Sequence, residues 1–259
     1  VDYDAELKGA RELPEQIFDV IEIVKDAHPM DALRTAVSAL SGFDPDRNDN
    51  STEATIRKGL RLTSQVPSIV MAHHNIRRGK DPIKPSTTLN HAGNFLYMMD
   101  GNEPSGQVMN LMDKDFVLHA DHGSNASAFT ARVVAGTAAD IHGAVTAGIA
   151  ALSGPSHGGA AENVMQMARE ISKPENAADY VQNLLSNRQR VMGFGHRVYK
   201  SYDPRAKILK KTCGEVLERL GGRGELLEIA MGLEEIALRD EYFVSRGLYP
   251  NVDFYSGVI

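Results

Sequence analysis

Residues 193–220 read GFGHRVYKSYDPRAKILKKTCGEVLERL. The stretch opens as a glycine-punctuated loop that holds His196, and Asp203-Pro204 then supplies a helix start. Aspartate caps the first amides of a helix, and proline lacks the N–H that would be unsatisfied there. Apolar residues follow at spacings of three and four, namely Ile208, Leu209, Val216, Leu217 and Leu220. The stretch therefore predicts a loop carrying a potential acid or base, followed by an amphipathic helix that stops at Gly221-Gly222.

Helical spacing continues on both sides of this stretch. It recurs in two early groups, Ile17, Phe18, Ile21 and Val24, and Leu33, Ala36, Val37 and Leu40. Ser172-Lys173-Pro174-Glu175 resembles a capping box that opens a helix, and a further helix is expected over about residues 225–245. Alternating β-branched runs, the signal of strands, are nearly absent. The sequence therefore predicts a mostly α, multi-helical fold.

Composition limits the classes of partner. The 259 residues are 42% hydrophobic and 24% charged, which is ordinary for a globular protein. A formal net charge of -6 argues against a nucleic-acid partner, since phosphate binding needs a basic face. A small anionic substrate remains compatible, because a few Arg and His residues can make a local positive pocket. The single cysteine, Cys213, excludes an internal disulfide and favours a reducing compartment, so we expect a cytoplasmic location.

Residues 125–153 form the longest weakly polar stretch and are rich in Ala, Gly, Val and Thr. Arg132, Asp140 and His142 interrupt it, and a membrane span needs about 20 residues with almost no charge, so we predict no membrane association. Small residues along helices allow their backbones to approach closely. The stretch is interpreted as a buried helical pair, either within a core or at a subunit interface.

Three loops hold histidines. In His119-Ala120-Asp121-His122 the His and Asp residues suggest a zinc site, but no third ligand has matching spacing. A hydrogen-bonded structural pair and an anion-binding His remain as alternatives. In Gly154-Pro155-Ser156-His157-Gly158-Gly159 the adjacent Ser and His side chains would diverge, which argues against a serine nucleophile. His157 is then either a turn residue at a helix end or a functional group.

The third loop, Gly193-Phe194-Gly195-His196, resembles a dinucleotide-binding loop only superficially. No strand precedes it, and Tyr199 follows where a further small residue is expected. A Rossmann site is therefore excluded, although the glycines would let a backbone lie close to a flat or phosphate-bearing ligand.

The chain resembles citrate synthases of the bacterial type over essentially its whole length. Five stretches in register carry the resemblance, and they are His28-Pro29-Met30-Asp31 with Leu33-Arg34-Thr35, Leu118-His119-Ala120-Asp121-His122 with Asn125-Ala126-Ser127, Gly154-Pro155-Ser156-His157-Gly158-Gly159, Gly193-Phe194-Gly195-His196-Arg197-Val198-Tyr199 with Asp203-Pro204-Arg205, and Pro250-Asn251-Val252-Asp253.

The resemblance implies an acyltransferase that condenses acetyl-CoA with oxaloacetate, with three catalytic residues, His157, His196 and Asp253. Asp253 would remove a methyl proton from acetyl-CoA. A carboxylate alone is too weak a base for this step, so His157 would hydrogen-bond the thioester oxygen of the developing enolate. His196 would polarise the ketone and protonate the alkoxide. Acetyl-CoA is a substrate, and no cofactor or metal is implied.

The same resemblance implies the residues that bind the substrates. The implied oxaloacetate ligands are His122, Asn125 and Arg205, and the implied CoA contacts are Met192, Gly193, Phe194, Gly195, Lys200 and Asn251. Arginine suits carboxylates because its planar fork can bind both oxygens. For Lys200 the alternative is a solvated surface lysine.

Family architecture predicts a large helical domain over residues 1–157, completed by residues 252–259 and by a further C-terminal part. A small helical domain over residues 158–251 would be inserted into it and close over the cleft. The further C-terminal part would supply additional substrate arginines. The family forms homodimers or larger homo-oligomers. Gly123 and Ala161 stand where an acidic residue and Asn are commoner, which bears on acyl or keto-acid preference.

Other functions with the same sequence pattern are kept as alternatives. The nearest is 2-methylcitrate synthase, which uses propionyl-CoA. A lyase that cleaves citryl-CoA is disfavoured because no CoA-ligase region accompanies the pattern. A non-catalytic CoA-binding or scaffold homologue belongs to another class, and the joint presence of His157, His196 and Asp253 argues against it.

Overall fold

The computed structural model describes residues 2–219 and 224–257, and the side chains of residues 216–219 lie outside this description. Fourteen α-helices form the described part: α1 Tyr3–Gly9, α2 Glu15–Ile23, α3 Pro29–Leu40, α4 Thr52–Ile76, α5 His91–Asp100, α6 Gly106–His119, α7 Ala126–Ala135, α8 Ile141–Leu152, α9 Gly159–Ile171, α10 Ala177–Ser186, α11 Pro204–Arg219, α12 Glu225–Arg239, α13 Glu241–Val244 and α14 Val252–Ser256. Short 3₁₀ turns lie at Ser41–Phe43 and Pro174–Asn176.

The prediction of a mostly α fold is confirmed. Within the described ranges, the only β-type pairing is a single antiparallel bridge between Phe194 and Pro250. None of the described helices combines the length and the apolar character that crossing a bilayer requires. The predicted helix stop at Gly221-Gly222 lies outside the described residues.

The chain divides into two compact units, Val1–Ser153 and Gly154–Ile259. The domain boundary expected at residues 157–158 lies close to this division. The assignment of residues 252–259 to a large domain stays a prediction.

The first unit is built around a core shared by α2, α3, α4 and α8. Its fully buried members include Ile17 and Ile21 of α2, Val37 of α3, and Ile69 of α4. Ile17, Ile21 and Val37 belong to the three-and-four spacing that predicts α2 and α3, so burying one apolar face of each of these helices contributes to the core.

Helices α7 and α8 form the pair predicted from the small-residue stretch. A Cβ atom built on Gly148 of α8 would lie 3.3 Å from the carbonyl oxygen of Ser127 and 3.7 Å from Cβ of Ala131, both in α7. The small residues thus allow close contact between the helices, as predicted. However, α7 has no buried residue within this unit. Its Phe129 is 61% exposed and its Val133 is 54% exposed.

The second unit packs α9, α11, α12 and α14 around buried apolar residues, which include Val164, Leu209, Leu233 and Phe254. The end of α14 lies against the first turn of α9, since a Cβ atom on Gly257 would lie 2.5 Å from the carbonyl oxygen of Ala161. This close approach requires glycine. It brings the loop before α9 and the loop before α14 together in one unit.

The structure corrects two local predictions and confirms a third. Asp203-Pro204 starts α11 as predicted, with Asp203 Oδ1 accepting from the Arg205 N–H at 2.9 Å. The capping box at residues 172–175 is wrong, because Ser172 has φ +66° at the end of α9 and a 3₁₀ turn follows it. The single helix over residues 225–245 is also wrong. Asp240 ends α12 in an extended conformation (ψ 129°) and caps α13 through Tyr242 N–H.

Candidate active site

A pocket of about 920 Å³ lies in the second unit. Its lining includes the three predicted catalytic residues, His157, His196 and Asp253. Five of the six predicted CoA contacts also line it, namely Met192, Gly193, Phe194, Gly195 and Asn251. This volume is within the range of small-molecule and cofactor sites. Three loops that are separate in sequence therefore contribute to one cavity.

His157 lies in the turn that leads into α9. Its backbone N–H donates to the Gly154 carbonyl at 2.9 Å, and its own carbonyl accepts from Ala160 N–H at 2.9 Å. The two bonds fix the backbone immediately before the helix start. The side chain is half-buried and lines the pocket.

His196 is held by its own loop. Its Nδ1 accepts from the backbone N–H of Val198 at 3.0 Å and of Tyr199 at 3.1 Å. The Tyr199 ring stacks at a tilt against the imidazole, with 4.7 Å between the ring centroids. Since Nδ1 accepts from two N–H donors, the proton of the neutral ring must be on Nε2. The loop therefore prepares His196 to act as a hydrogen-bond donor through Nε2.

The glycine loop before His196 pairs with the segment before α14. Gly195 N–H donates to the Tyr249 carbonyl at 2.8 Å, and Asn251 N–H donates to the Gly193 carbonyl at 2.9 Å. Gly193 and Gly195 have φ values of +80° and +87°, a region that side chains disfavour. A Cβ atom on Gly193 would lie 2.7 Å from Phe254 Cδ2, so packing also requires glycine there.

The Phe194 side chain is half-buried at the pocket. Its ring makes edge contacts with Phe243 and Phe254, with centroids 5.2 Å and 4.7 Å away. These aromatic contacts anchor the loop, and the segment from Met192 to Gly195 lines the cavity.

Asn251 connects this loop to Asp253. Its Nδ2 donates to the Gly195 carbonyl at 2.9 Å, and its Oδ1 accepts from Asp253 N–H at 3.1 Å as the cap of α14. Asp253 lies in the first turn of that helix and is half-buried. One amide side chain thus links the His196 loop to the predicted base.

Arg205 forms a two-point ion pair with Asp203. Its Nε and Nη2 lie 3.2 Å and 2.9 Å from the two carboxylate oxygens. Burial by itself would raise the pKa of Asp203, but the hydrogen bonds and charge of Arg205 outweigh it and hold that pKa below its ordinary value. Arg205 does not line the pocket of about 920 Å³, and its role as an oxaloacetate ligand stays a prediction.

Three arginines that the sequence analysis missed, Arg190, Arg197 and Arg246, also line the pocket. Arg246 stacks over the Tyr242 ring at 4.3 Å from its centroid. Arg197 directly follows His196, and this adjacency was a usable signal. Arg246 and Tyr242 lie in no motif, and only folding brings them to the cavity.

Lys200 differs from the other predicted CoA contacts. It is exposed, does not line the pocket, and its Nζ lies 3.4 Å from the Arg197 carbonyl. This position matches the alternative of a solvated surface lysine, and a contact of Lys200 with CoA stays a prediction.

His122 and Asn125, the remaining predicted oxaloacetate ligands, belong to the first unit. Asn125 Oδ1 caps α7, accepting from Ala128 N–H at 3.0 Å and from Ser127 Oγ at 2.8 Å. The amide Nδ2 is then the atom of Asn125 that a carboxylate would meet. Their role as ligands stays a prediction.

His119 uses its Nδ1 within its own helix, 2.9 Å from the Asp115 carbonyl. This contact is with the backbone of α6, so the alternatives of a histidine pair and of an anion-binding His stay predictions. Among the described residues, no group of three or more His, Cys, Asp or Glu side chains is placed to hold a metal ion.

Comparison with known proteins identifies the family. The family model described as "Citrate synthase, C-terminal domain" matches residues 1–259. Citrate synthase of Deinococcus radiodurans is 42% identical over 258 residues, which are 99% of this chain and 68% of that protein.

Solved structures agree with the sequence match. Citrate synthase from Pyrobaculum aerophilum superimposes with a TM-score of 0.91 at 40% identity, covering 99% of this chain and 66% of that one. Citrate synthase from Thermoplasma acidophilum superimposes with a TM-score of 0.92 at 27% identity, covering 99% of this chain and 67% of that one. That structure is a ternary complex with carboxymethyl coenzyme A and oxaloacetate. This chain thus spans about two thirds of these relatives, and it belongs to the citrate synthase family.

Proposed function

We propose that this protein condenses acetyl-CoA with oxaloacetate to give citrate and CoA. The observation that carries the proposal is the pocket lined by His157, His196 and Asp253, in which the loop geometry places the His196 ring proton on Nε2. A base, a donor for an enolate and an acid for an alkoxide are the groups that this carbon–carbon bond formation requires.

The first step is removal of a methyl proton from acetyl-CoA. Asp253 accepts this proton, and the electron pair of the C–H bond moves into the thioester as an enol or enolate. His157 donates a hydrogen bond to the thioester oxygen as negative charge develops there. A prepositioned donor is worth most in such a site, because it needs no reorganisation during the reaction.

The second step joins the two substrates. The nucleophilic carbon attacks the ketone carbon of oxaloacetate, and the carbonyl electron pair moves to its oxygen. His196 donates its Nε2 proton to that oxygen, giving the hydroxyl of citryl-CoA. Water then hydrolyses the thioester, which releases citrate and CoA.

Cationic and polar side chains are proposed to bind the charged groups of the substrates. Arg205 would bind a carboxylate of oxaloacetate, with His122 and Asn125 as further proposed ligands. The segment from Met192 to Gly195 and Asn251 would contact CoA. Arg190, Arg197 and Arg246 give the pocket a basic lining that suits the CoA phosphates. Lys200, which does not line the pocket, is a further proposed CoA contact.

The active form is proposed to be a homodimer or a larger homo-oligomer in the cytoplasm, working without metal or cofactor. The exposed Phe129 and Val133 of α7 support an interface, because apolar side chains this exposed gain free energy when a second surface covers them. The reduced, buried Cys213 is compatible with a reducing compartment.

Product identification tests the reaction. The protein expressed from its complete gene is incubated with acetyl-CoA labelled with ¹³C in the methyl group and with oxaloacetate, and the products are followed by NMR. Label in a methylene of citrate is expected. Propionyl-CoA serves as the competing acyl donor, since one methylene typically changes kcat/KM by about 10- to 200-fold. A label that stays in acetyl-CoA or appears only in acetate contradicts the proposal.

A further inference from the structure

A buried carboxylate lies in the same unit as the candidate active site. Glu234 of α12 is only 2% exposed, and three side chains donate to it. Tyr255 Oη and Lys210 Nζ each lie 2.5 Å from its Oε2, and the Tyr202 hydroxyl donates to Oε1. All four residues belong to the second unit, and none of them lines the catalytic pocket.

The three donors come from segments that hold proposed functional residues. Tyr255 is in α14, two positions after Asp253. Tyr202 directly precedes Asp203, which caps α11 and pairs with Arg205. Lys210 lies within α11 itself. One carboxylate therefore connects the helix of the proposed base to the start of α11, which holds the proposed oxaloacetate ligand Arg205.

An ionised Glu234 and protonated tyrosine hydroxyls strengthen the hydrogen bonds of this cluster. Burial by itself would raise the pKa of Glu234, but hydrogen bonds from Lys210 and the two tyrosines outweigh it and hold that pKa below its ordinary value. Burial and the neighbouring carboxylate raise the pKa of Tyr202 and Tyr255, so both hydroxyls keep their protons and donate. An ionised acceptor roughly doubles the strength of each bond.

Helix α14, Val252–Ser256, is held by side chains on both sides of Asp253. Asn251 caps its start, and Tyr255 is fully buried with its hydroxyl on Glu234. The side chain that follows Asp253 by two positions thus fixes the rotation of the helix and, with it, the position of the Asp253 carboxylate.

We propose that Glu234 is a positioning residue for the condensation, acting on Asp253 through Tyr255 and on Arg205 through Tyr202. The inference rests on the proposed function, because its readouts are the kinetic constants of that reaction. The two connections act on different steps. One orients the base that starts the chemistry, and the other orients a group that binds oxaloacetate.

The two tyrosines separate these effects. Tyr255→Phe removes the connection to α14, and we expect turnover per folded site to fall about tenfold with the KM for oxaloacetate unchanged. Tyr202→Phe removes the connection to Arg205, and we expect the KM for oxaloacetate to rise about tenfold with turnover nearly unchanged. Both effects are modest beside the roughly 100-fold cost of a 1 Å misplacement.

Glu234→Gln keeps the volume but removes the charge, so it should produce both effects in one protein. Adding Tyr255→Phe to Glu234→Gln should lower turnover by less than the product of the two single effects, because residues that share one hydrogen-bond network are not additive. Tyr180→Phe is the matched control. Its hydroxyl donates to Glu170 Oε2 at 2.6 Å in the same unit, away from the pocket, and its loss should leave both constants unchanged.

The experiment measures steady-state thiol release at varied oxaloacetate, with the folded fraction of each variant taken from its unfolding curve. A turnover defect in Tyr255→Phe together with an oxaloacetate KM defect in Tyr202→Phe supports the inference. Constants within twofold of the parent in both variants, or an identical loss of turnover in both without a KM change, overturns it. A parent protein that releases no thiol overturns the proposed function and the inference with it.

Discussion

The side chain of Asn251 donates a 2.9 Å hydrogen bond to the carbonyl of Gly195, 56 positions earlier in the chain. Through this bond the loop that carries His196 and the helix that carries Asp253 hold each other in place. The same amide also caps the helix through its Oδ1. A single side chain thus contributes to the relative position of the proposed acid and the proposed base.

Asn251→Asp tests this connection. Aspartate caps helices as well as asparagine does, but it has no donor for Gly195 and sets a negative charge against that carbonyl. We expect turnover to fall at least about tenfold, and the free energy of unfolding to fall by about 1–3 kcal/mol because an acceptor loses its partner. Urea unfolding and thiol-release kinetics measure the two effects.

The control for this variant is Asn90→Asp. Asn90 caps α5, its Oδ1 accepting from Gly93 N–H at 2.7 Å, and it does not line the pocket. Turnover equal to that of the parent is expected. A similar loss of turnover in both variants would contradict a specific role for the Asn251–Gly195 bond.

His196→Asn separates the loop from the chemistry. The Oδ1 of asparagine accepts from backbone N–H groups two and three positions ahead, as His196 Nδ1 does, so the loop keeps its shape. The acid is lost, and we expect turnover to fall by about 10²- to 10⁴-fold. CoA affinity measured by calorimetry should stay within a few-fold of the parent. An active His196→Asn protein would contradict the assignment of the acid.

Gly193→Ala should destabilise the second unit. The residue has φ +80°, and its new Cβ would lie 2.7 Å from Phe254 Cδ2 and 2.9 Å from Val164 Cγ2. Such strain costs on the order of 1–3 kcal/mol in unfolding free energy. Gly214→Ala, in the middle of α11 with open space around its Cα, should instead stabilise by about 0.5–1 kcal/mol. Denaturant unfolding that ranks the two variants in the opposite order would refute this account of the loop.

His142 should make stability depend on pH. Its ring is 1% exposed, and its Nε2 and Nδ1 lie 3.6 Å from carboxylate oxygens of Asp44 and Asp140. Burial lowers its pKa below 6.5, against the opposing effect of Asp44 and Asp140, while Lys58 and Arg61 lower it further. A depressed pKa means that the folded state binds fewer protons than the unfolded state below pH 6.5.

The contribution of His142 to the free energy of unfolding is therefore fully present above pH 6.5 and is lost as pH falls through its folded-state pKa. This contribution changes by at most about 1.4 kcal/mol per pH unit. Urea unfolding of the parent and of His142→Gln at pH 7.5, 6.5, 5.5 and 5.0 isolates this contribution. As pH falls, the free energy of unfolding should decrease more for the parent than for His142→Gln. Parallel curves would show that His142 is not the group responsible.

Local sequence signals predicted those features that depend on local chemistry. Asp203-Pro204 starts a helix because both residues act on the adjacent turn, and the structure confirms it. The capping box at residues 172–175 failed because Ser172 already ends the preceding helix at φ +66°. The break at Asp240 also escaped prediction, since apolar residues continue the helical spacing on both sides of it.

Some candidate site residues could be found from sequence motifs, and others only from the structure. The motifs at His157, His196 and Asp253 could be read along the chain, and these residues line one pocket. Glu234 and Arg246 have no motif. Glu234 contacts side chains distant in sequence, such as Tyr202, 32 positions before it. Only the packing of α11, α12 and α14 creates those contacts. Arg246 contacts its neighbour Tyr242, and the fold brings both to the pocket.

Oxaloacetate-dependent thiol release from acetyl-CoA tests the central claim most directly. It is measured for the parent protein, for Asp253→Ala, and for Asp179→Asn, an exposed aspartate at the start of α10, as the matched control. We predict release only with oxaloacetate present, unchanged in Asp179→Asn and reduced by about 10²- to 10⁴-fold in Asp253→Ala. Equal release by Asp253→Ala, or no release by a folded parent that binds CoA, would contradict the account.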